Sequence, residues 1–511
     1  MILDTIDNLI LYAKYHLDLS DELDEIYTRN VLLNELHLNH PNESFNYKDE
    51  DKIKNLVVPD TLIDELNDYL VNTLHLTNKE AELKYTKIMG ILTKSPSEVN
   101  QTFKGIYQRF GDKEALDYLY NLSISNYYFQ KTKVDQNIVW STDYPSKNIE
   151  ISINLSKPEK NNKDIAKLLV KPDPSQIKYP KCLLCLENLG FAGNSNHPAR
   201  ENIRVIPLNL NGEKWYLQYS PYGYFYKHCI VFSKKHSNMV INEDTFKKLS
   251  DFVDMFPSFF IGSNADLPIV GGSILNHEHY QGGEHLLPVM KAKAKKEYNV
   301  TVFNDVKLYK LDWYNTCLLV VSKNKNHLVN VATTILNAWR NYDDYINDII
   351  SHSGEIMHNT ITPSIRKEGD TYYLYLILRN NRCNEEYPDG IFHAHPEYHH
   401  IKKEGIGIIE AMGLFILPAR LVRQENEIID VLKNKFNDEN IIKKYPDLVD
   451  FLGMINELKV DFDEKSIHLQ INKYIEKVCQ NILINTAVFK DNENGNVGLD
   501  KFIGGLKLWV I

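Results

Sequence analysis

Two histidines and a glutamine stand at alternate positions in the segment GGSILNHEHYQGG, which covers residues 271–283. On a β-strand, alternate side chains lie on one face, so His277, His279 and Gln281 are predicted to share a face. A neutral imidazole can attack phosphorus and form a phosphoramidate, and the amides of flanking glycines can bind phosphate oxygens. The segment therefore indicates transfer of a phosphorus-containing group, with three polar residues on a solvated strand as the alternative.

Gln281 bears on the type of transfer. An amide does not titrate, so it can hydrogen-bond a phosphoryl oxygen but cannot help water to attack. Such a site suits a leaving group and an acceptor that are both already anionic, such as sugar phosphates. The residue therefore favours group transfer over hydrolysis.

A second constellation is the pair Cys182 and Cys185, spaced C-x-x-C. In an intracellular protein this spacing is typical of a metal or redox site. Two buried thiols near a turn are the alternative. The other four cysteines are too scattered for a disulfide framework, and a cytoplasmic location is expected.

A dense histidine cluster lies further along the chain. It comprises His393, His395, Glu397, His399 and His400. The cluster is a candidate second metal site, with a polar strand end followed by a helix start as the alternative. Its His-x-His pair follows the first such pair by about one domain length, which suggests an internal duplication.

Length and charge limit the class of protein. The 511 residues correspond to two large domains or to about three of ordinary size. A formal net charge of −10 argues against a surface that binds nucleic acid or anionic membrane throughout, whereas a small anionic substrate needs only a local basic pocket. Asp4 and Asp7 precede any lysine, so no secretory signal is predicted, and no apolar run is long enough to span a membrane.

The elements that position these motifs differ between the two ends of the chain. Residues 1–133 have the apolar spacing of helices. Within them, Ser95 is predicted to cap a helix, because Pro96 follows at the first helical position and Glu98 completes a capping box.

Beyond residue 134, strands and helices mix. The stretch NIEISINL at 148–155 alternates polar and apolar residues, which predicts a half-buried strand. Short connections outnumber crossover helices, so antiparallel sheets are expected. Residues 400–425 and 440–490 are predicted to be mostly helical. The fold class is therefore predicted to be α+β.

The segment around His279 resembles the active-site signature of the galactose-1-phosphate uridylyltransferases, members of the histidine-triad superfamily in which glutamine replaces the third histidine. The better known branch of this family has His-Pro-His-x-Gln where this chain has HEHYQ. The similarity to the second, Gram-positive bacterial type is wider. Its blocks are YTRN at 27–30, IEISINLSKPEK at 149–160, NHPAREN at 196–202, HCIVFSKKHSNM at 228–239 and HPEYHHIKKEGIGIIEAMGLFILPARL at 395–421.

By this resemblance, His279 is the nucleophile that becomes uridylylated, and Gln281 hydrogen-bonds the transferred phosphoryl group. The implied reaction, a step of galactose metabolism, converts UDP-glucose and galactose 1-phosphate into glucose 1-phosphate and UDP-galactose in two half-reactions. Glu278 stands where the better known branch has proline. Because Glu278 is predicted to lie on the opposite face of the strand, the assignment of the nucleophile is unaffected.

The resemblance also implies a structural zinc ion, while no organic cofactor is expected. The matching ligand positions are Cys182, Cys185, His236 and His277, a suitable set for tetrahedral zinc. The buried-thiol alternative stays open.

Substrate contacts are expected from seven further residues. They are Ser273, Asn276, Asn264, Arg200, Glu410, Lys402 and Arg420. Glu410 matches the carboxylate that binds hexose hydroxyls in the family, and Lys402 and Arg420 could neutralise phosphate. Arg200 belongs to a segment, 196–202, that could line the uridine pocket. A solvated charge run is the alternative for Lys402, and a surface ion pair is the alternative for Arg200.

The expected organisation has four parts. They are a helical region over 1–133, a histidine-triad-like half with the catalytic strand over 134–300, a second such half over 301–430, and a helical region over 431–511. The expected function is uridylyl transfer between UDP-glucose and galactose 1-phosphate, without nucleic-acid or membrane partners and with a homodimer as the candidate assembly. The alternatives are another nucleotidyl transferase or phosphorylase of the superfamily, such as one acting on dinucleoside polyphosphates, and a non-catalytic zinc-binding scaffold.

Overall fold

The computed structural model describes residues 2–43, 50–144, 147–155, 179–194, 196–272, 274–506 and 508. The chain forms two compact units. The first unit comprises residues 1–135 and 171–237, and the second unit comprises residues 136–170 and 238–511. Among the helices of the described ranges, none has both the length and the hydropathy that a membrane-spanning helix requires.

Helices dominate the first unit. They are α1 (Ile2–His16), α2 (Glu22–Glu35), α3 (Glu50–Lys54), α4 (Asp60–Asp68), α5 (Asn78–Leu92), α6 (Pro96–Phe110), α7 (Asp112–Ser125) and α8 (Lys131–Val134). The capping box predicted at the start of α6 is confirmed, since the Ser95 side chain accepts from the Glu98 amide and the Glu98 carboxylate accepts from the Ser95 amide. The helical spacing of this region therefore predicted its structure correctly in the described residues.

A buried arginine closes one of these helices. Arg204 is 7% exposed. Its guanidinium donates to the carbonyls of Gly90, Thr93 and Lys94, at and just beyond the end of α5, over 3.2, 2.9 and 2.7 Å. Carbonyls at a helix end have no partner within the helix. Arg204 therefore satisfies them and fixes its own segment against α5.

Three strands complete the first unit. They are β3 (Ile206–Leu210), β4 (Glu213–Tyr219) and β5 (Cys229–Ser233), antiparallel in that order. Buried and exposed residues alternate along β3, as expected for a sheet with one covered face.

The second unit contains a larger antiparallel arrangement. Its strands are β6 (Phe260–Gly262), β7 (His279–Gly283), β8 (Ala294–Tyr298), β9 (Lys307–Leu311), β10 (Cys317–Ser322), β13 (Asn359–Glu368) and β14 (Thr371–Asn380). They are ordered β7-β6-β13-β14-β10-β9-β8, and each neighbouring pair is antiparallel. Helices α9 (Glu243–Met255) and α10 (Lys325–Arg340) pack on each other and on β13. The expectation of antiparallel sheets is confirmed here.

A small sheet of the second unit contains one parallel pair. Its strands are β1 (Ile138–Ser141), β2 (Glu150–Asn154) and β15 (Leu414–Pro418). The strand predicted at 148–155 is confirmed as β2, but the helical prediction for 400–425 is wrong at β15. The apolar run LFILP is buried and pairs parallel with β2, a partner that local spacing does not reveal. Within the same range, helix α11 (Ile408–Ala411) is short.

The order β-β-β-α-β-β occurs twice along the chain. The first occurrence runs from β3 through α9 to β7, and the second runs from β8 through α10 to β14, apart from a short hairpin of β11 (His352–Ser353) and β12 (Ile356–Met357). β6 and β13 hold the same place in the two repeats, and they pair with each other. The histidine pairs hold different places, because His279 begins β7 whereas His393 follows β14 in a loop. The element order therefore supports a duplication, but these histidines are not its equivalent positions.

The chain ends in helices. They are α12 (Arg420–Lys433), α13 (Asp438–Lys444), α14 (Leu452–Val460), α15 (Ile467–Thr486) and α16 (Glu493–Gly504). The chain thus combines helices with mainly antiparallel strands, so the predicted α+β class is confirmed. The four-part division at residues 133, 300 and 430 stays a prediction.

Candidate active site

His279 begins strand β7, and the residue is only 6% exposed. Its Nδ1 lies 2.8 Å from the backbone carbonyl oxygen of His277. Because a carbonyl can only accept, Nδ1 carries the ring proton and Nε2 keeps its lone pair. Burial lowers the pKa of His279 to about 4, against the opposite effect of this hydrogen bond. The ring is therefore neutral near pH 7, with Nε2 as its nucleophilic atom.

The neighbouring strand brings a second part of the site beside β7. Gln281 lies opposite Gly262 of β6. A Cβ at Gly262 would stand 2.4 Å from Cδ1 of Ile408, which begins α11, and 2.7 Å from the Pro363 carbonyl oxygen. Glycine at this position therefore lets α11 approach the strand directly across from Gln281.

The Glu278 side chain, directly ahead of β7, points away from His279. Its Oε1 accepts from the Tyr280 hydroxyl at 3.0 Å and from Nζ of Lys248, on α9, at 3.3 Å. Because β7 begins at His279, these contacts themselves place the Glu278 side chain on the side of Tyr280, which α9 covers. The predicted orientation of Glu278 away from the nucleophile is confirmed.

Asn264, in the loop after β6, connects the glycine segment to α11. Its Oδ1 accepts from the Ile408 amide at 2.8 Å. Its Nδ2 lies so close to Gly272 that a Cβ there would be 2.5 Å away, and a Cβ at Gly407 would be 2.9 Å from Oδ1. The close approach of Asn264 therefore requires glycine at both positions.

Glu410 and Lys402, two predicted substrate contacts, touch each other. Nζ of Lys402 donates to Oε1 of Glu410 at 3.1 Å and to the Ile416 carbonyl at 2.9 Å. Lys402 is 5% exposed and Glu410 is 8% exposed. The ammonium therefore holds Glu410 in place from within the fold, and its contact with a substrate phosphate stays a prediction.

Arg379 and His393 bind the backbone of one residue, Ile406, in the segment that leads to Glu410. His393 Nε2 accepts from the Ile406 amide at 3.0 Å, and Arg379 donates to the Ile406 carbonyl at 2.8 Å. Burial, followed by the charge of Arg379, lowers the pKa of His393 to about 3, so this histidine is a neutral acceptor. The segment is thus fixed on both sides.

The histidine cluster around His393 does not assemble as a metal site within the described part of the chain. Nε2 of His395 and Nε2 of His399 each lie 3.0 Å from a backbone carbonyl oxygen. These rings therefore bind the backbone of their own segment, which agrees with the polar alternative for the cluster.

Cys182, Cys185 and His236 converge in the first unit. The two Sγ atoms are 3.6 Å apart, and Sγ of Cys185 lies 3.2 Å from Nδ1 of His236. Two sulfurs bound to one tetrahedral zinc ion at about 2.3 Å would be roughly 3.8 Å apart, so the spacing fits this metal. The fourth predicted ligand, His277, belongs to the second unit and is fully buried there.

For four predicted substrate contacts, the surroundings in the structure do not indicate a role in binding. Arg200, in the first unit, stacks over the ring of Tyr128 at 5.6 Å. Asn276 is exposed directly ahead of the histidine pair, and Arg420 begins α12. Ser273 lies outside the described residues. The roles of these four residues stay predictions.

Two residues of the site were not predicted from the sequence. Both are buried cations, since Lys248 belongs to the buried face of α9 and Arg379 follows the apolar run of β14. Buried cations are rare without a partner. A lysine or arginine at such a position is therefore the signal that could have found them.

Two family models match the chain. Residues 21–238 match the N-terminal domain of galactose-1-phosphate uridyl transferase, and residues 248–440 match its C-terminal domain. A solved structure, that of yeast Ap4A phosphorylase Apa2, gives a TM-score of 0.31 at 10% identity over 70% of this chain and 91% of that chain. A likeness at that level adds nothing to the assignment.

Relatives of similar length agree with the family models. A galactose-1-phosphate uridylyltransferase of Clostridium acetobutylicum is 42% identical over 97% of this chain and 98% of its own. The enzyme of the same name from Caldanaerobacter subterraneus is 42% identical over 95% and 94%, and that of Bacillus subtilis is 38% identical over 94% of both chains. The chain that carries the HEHYQ strand belongs to the galactose-1-phosphate uridylyltransferase family.

Proposed function

We propose that this chain transfers UMP from UDP-glucose to galactose 1-phosphate through a uridylyl group bound covalently to His279. The observation that carries the proposal is the hydrogen bond from His279 Nδ1 to the His277 carbonyl, because it leaves Nε2 with the lone pair. The substrate class is supported by the relatives, whose names specify galactose 1-phosphate and a uridylyl group.

In the first half-reaction, Nε2 of His279 attacks the α-phosphorus of UDP-glucose. A P–N bond forms, the P–O bond to glucose 1-phosphate breaks, and its electrons leave with that phosphate, so no proton has to move. In the second, a phosphate oxygen of galactose 1-phosphate attacks the same phosphorus. The P–N bond then breaks and returns its electrons to Nε2, while Nδ1 keeps its proton throughout.

Two further side chains have proposed roles in this cycle. The amide of Gln281 donates to a phosphoryl oxygen as negative charge develops on it. Glu410, held by the buried Lys402, accepts from hexose hydroxyls. A carboxylate that is already fixed loses little conformational entropy when the sugar binds.

We also propose a structural zinc ion bound by Cys182, Cys185, His236 and His277. The S₂N₂ donor set and the 3.6 Å separation of the sulfurs support it. An ion with four protein ligands has no open position, so it stabilises the fold and takes no part in the transfer. A cytoplasmic location, supported by the six free cysteines, and a homodimer are also proposed.

Mass spectrometry of the intact protein after exposure to UDP-glucose without acceptor tests the covalent step. The expected result is a mass increase of one uridylyl group that disappears when galactose 1-phosphate is added. His279→Ala should show no increase. The matched control is His352→Ala, which removes an exposed histidine of β11 and should leave the increase intact.

Steady-state kinetics provide a second test of the covalent intermediate. A covalent intermediate predicts parallel lines in initial-rate plots and exchange of labelled glucose 1-phosphate into UDP-glucose without acceptor. Intersecting lines together with absence of exchange would refute the covalent intermediate. If the His279→Ala variant takes up the uridylyl label and the His277→Ala variant does not, the nucleophile is His277.

A further inference from the structure

We infer that Glu278, anchored by Lys248 and Tyr280, is a positioning residue that sets the tautomer of His279. The observation behind it is the contact of one carboxylate oxygen with both Lys248 and Tyr280 on the face of β7 opposite the nucleophile. Only the kinetic part of its test rests on the proposed function.

The peptide between residues 277 and 278 connects Glu278 to the nucleophile. Its carbonyl oxygen is the acceptor for Nδ1 of His279. If this peptide turned, Nδ1–H would lose its partner inside a buried site, at the cost of an unpaired donor. The other tautomer, with the proton on Nε2, would then no longer be disfavoured, and Nε2 could not attack phosphorus. The orientation of this peptide therefore decides which nitrogen reacts.

The ladder beside β6 does not fix this peptide. Its paired positions on β7 are residues 281–283, so it does not reach Glu278. The Glu278 side chain holds its end of the peptide through two contacts on the helix-covered face. One partner, Lys248, comes from α9, and the other, Tyr280, lies two residues further along the strand.

Burial makes this anchor different from a surface ion pair. Lys248 is 6% exposed, and the side chain of Glu278 is 13% exposed. Removing one partner of a buried pair leaves an uncompensated charge, which would drive rearrangement of the other. The neighbouring Lys247 also pairs with a carboxylate, that of Glu243, but its side chain is 42% exposed. Such an exposed pair contributes little, so Lys247 provides a matched control on the same helix.

The test compares Lys248→Met and Glu278→Gln with the conservative Lys248→Arg and the control Lys247→Met. Each folded protein is measured in two ways. Nitrogen NMR of the histidine rings reports which ring nitrogen of His279 is protonated, with the signal assigned by its loss in His279→Gln. Single-turnover uridylylation by UDP-glucose, per active site, reports the rate and its dependence on substrate concentration.

We expect Lys248→Met and Glu278→Gln to show a protonated Nε2 fraction and a rate lower by roughly tenfold or more, as is typical for groups that orient a reactive residue. Half-saturation by UDP-glucose should be nearly unchanged, because the Glu278 side chain contacts Lys248 and Tyr280 on the side away from His279. Lys248→Arg should keep most of the rate, and Lys247→Met should behave as wild type.

An unchanged tautomer in both folded variants would overturn the inference, whatever the rate. So would a tautomer shift that leaves the rate at the wild-type value. If Lys248→Met does not fold, Glu278→Gln decides alone, since it keeps the shape of the side chain and an acceptor for Tyr280. If the wild-type protein takes up no uridylyl group, the proposed function has failed, and the NMR measurement still decides the inference.

Discussion

One backbone carbonyl determines which ring nitrogen of His279 carries the proton and which keeps its lone pair. The His277 carbonyl binds the proton on Nδ1, and the lone pair of Nε2 is thereby available for reaction. Since the ring is buried and neutral, its reactivity does not depend on a nearby base. In the proposed cycle, Gln281 favours a sugar phosphate over water as the acceptor of the uridylyl group, because an amide cannot activate water.

Replacing Gln281 with histidine should change the outcome of the reaction. Gln281→His keeps a hydrogen-bond donor but adds a titratable nitrogen beside the phosphoramidate, so hydrolysis of UDP-glucose should rise measurably. Transfer should fall by about 10²-fold or more, as for loss of one positioned donor. The two rates are measured by product analysis with and without galactose 1-phosphate. Gln281→Ala is the control, and equal hydrolysis by both variants would contradict this role for the amide.

At the scale of residues, the sequence predicts what is local. The placement of His279 and Gln281 on one strand follows from neighbouring residues, whereas His277, predicted on the same strand, lies just ahead of β7. The pairing of Glu278 with Lys248 was not predicted, because 30 residues separate the two and only packing of α9 on the sheet brings them together.

Helices and strands, too, are predictable where neighbouring residues determine them and are missed where a distant residue does. The capping box of Ser95 and Glu98 was predicted correctly because all its partners lie within four residues. β15 was missed because a short apolar run is compatible with either helix or strand. Pairing with β2, more than 250 residues earlier in the chain, makes this run a strand. The end of α5 depends in the same way on a distant residue, Arg204.

Arg204→Lys should destabilise the protein. A lysine has three donors on one nitrogen and cannot reach the three carbonyls that the planar guanidinium contacts. With roughly 1 kcal/mol for each of two lost hydrogen bonds, the free energy of unfolding should fall by about 2 kcal/mol. Urea denaturation followed by circular dichroism measures it. Arg109→Lys, at an exposed position of α6, is the control, and equal stability of the two variants would contradict the capping role.

For the whole molecule, a zinc ion should contribute to stability rather than to turnover. We expect about one zinc ion per chain by elemental analysis and a lower melting temperature after chelation. Cys182→Ser should lose the metal and melt several degrees lower, whereas turnover per folded molecule should change little. Cys383→Ser, which alters an exposed cysteine, is the control. A zinc-free wild-type protein whose Cys182→Ser variant melts normally would show that these thiols are simply packed.

The α+β class and the family were both predictable from the sequence, because the residue patterns indicate the element types and the sequence blocks resemble the family. The internal repeat was predicted for an incorrect reason. The two histidine pairs suggested it by their chemistry, yet the structure relates the two halves of the repeat through their element order. The order of helices and strands can persist after matching residues have been lost, so the structure reveals this repeat where residue matches do not.

The pairing of β6 with β13 has a consequence for symmetry. These strands hold equivalent places in the two repeats and run antiparallel to each other, which is the relation that a two-fold axis creates at the interface of two identical subunits. In a homodimer of identical subunits, every residue on one side must also be present on the other. A single chain with two repeats is free of that constraint. Here one copy keeps the histidine on β7, while β14, its counterpart, has no histidine and instead provides Arg379, which holds the segment leading to Glu410. The two repeats therefore present different side chains at equivalent places, a histidine on β7 and an arginine on β14.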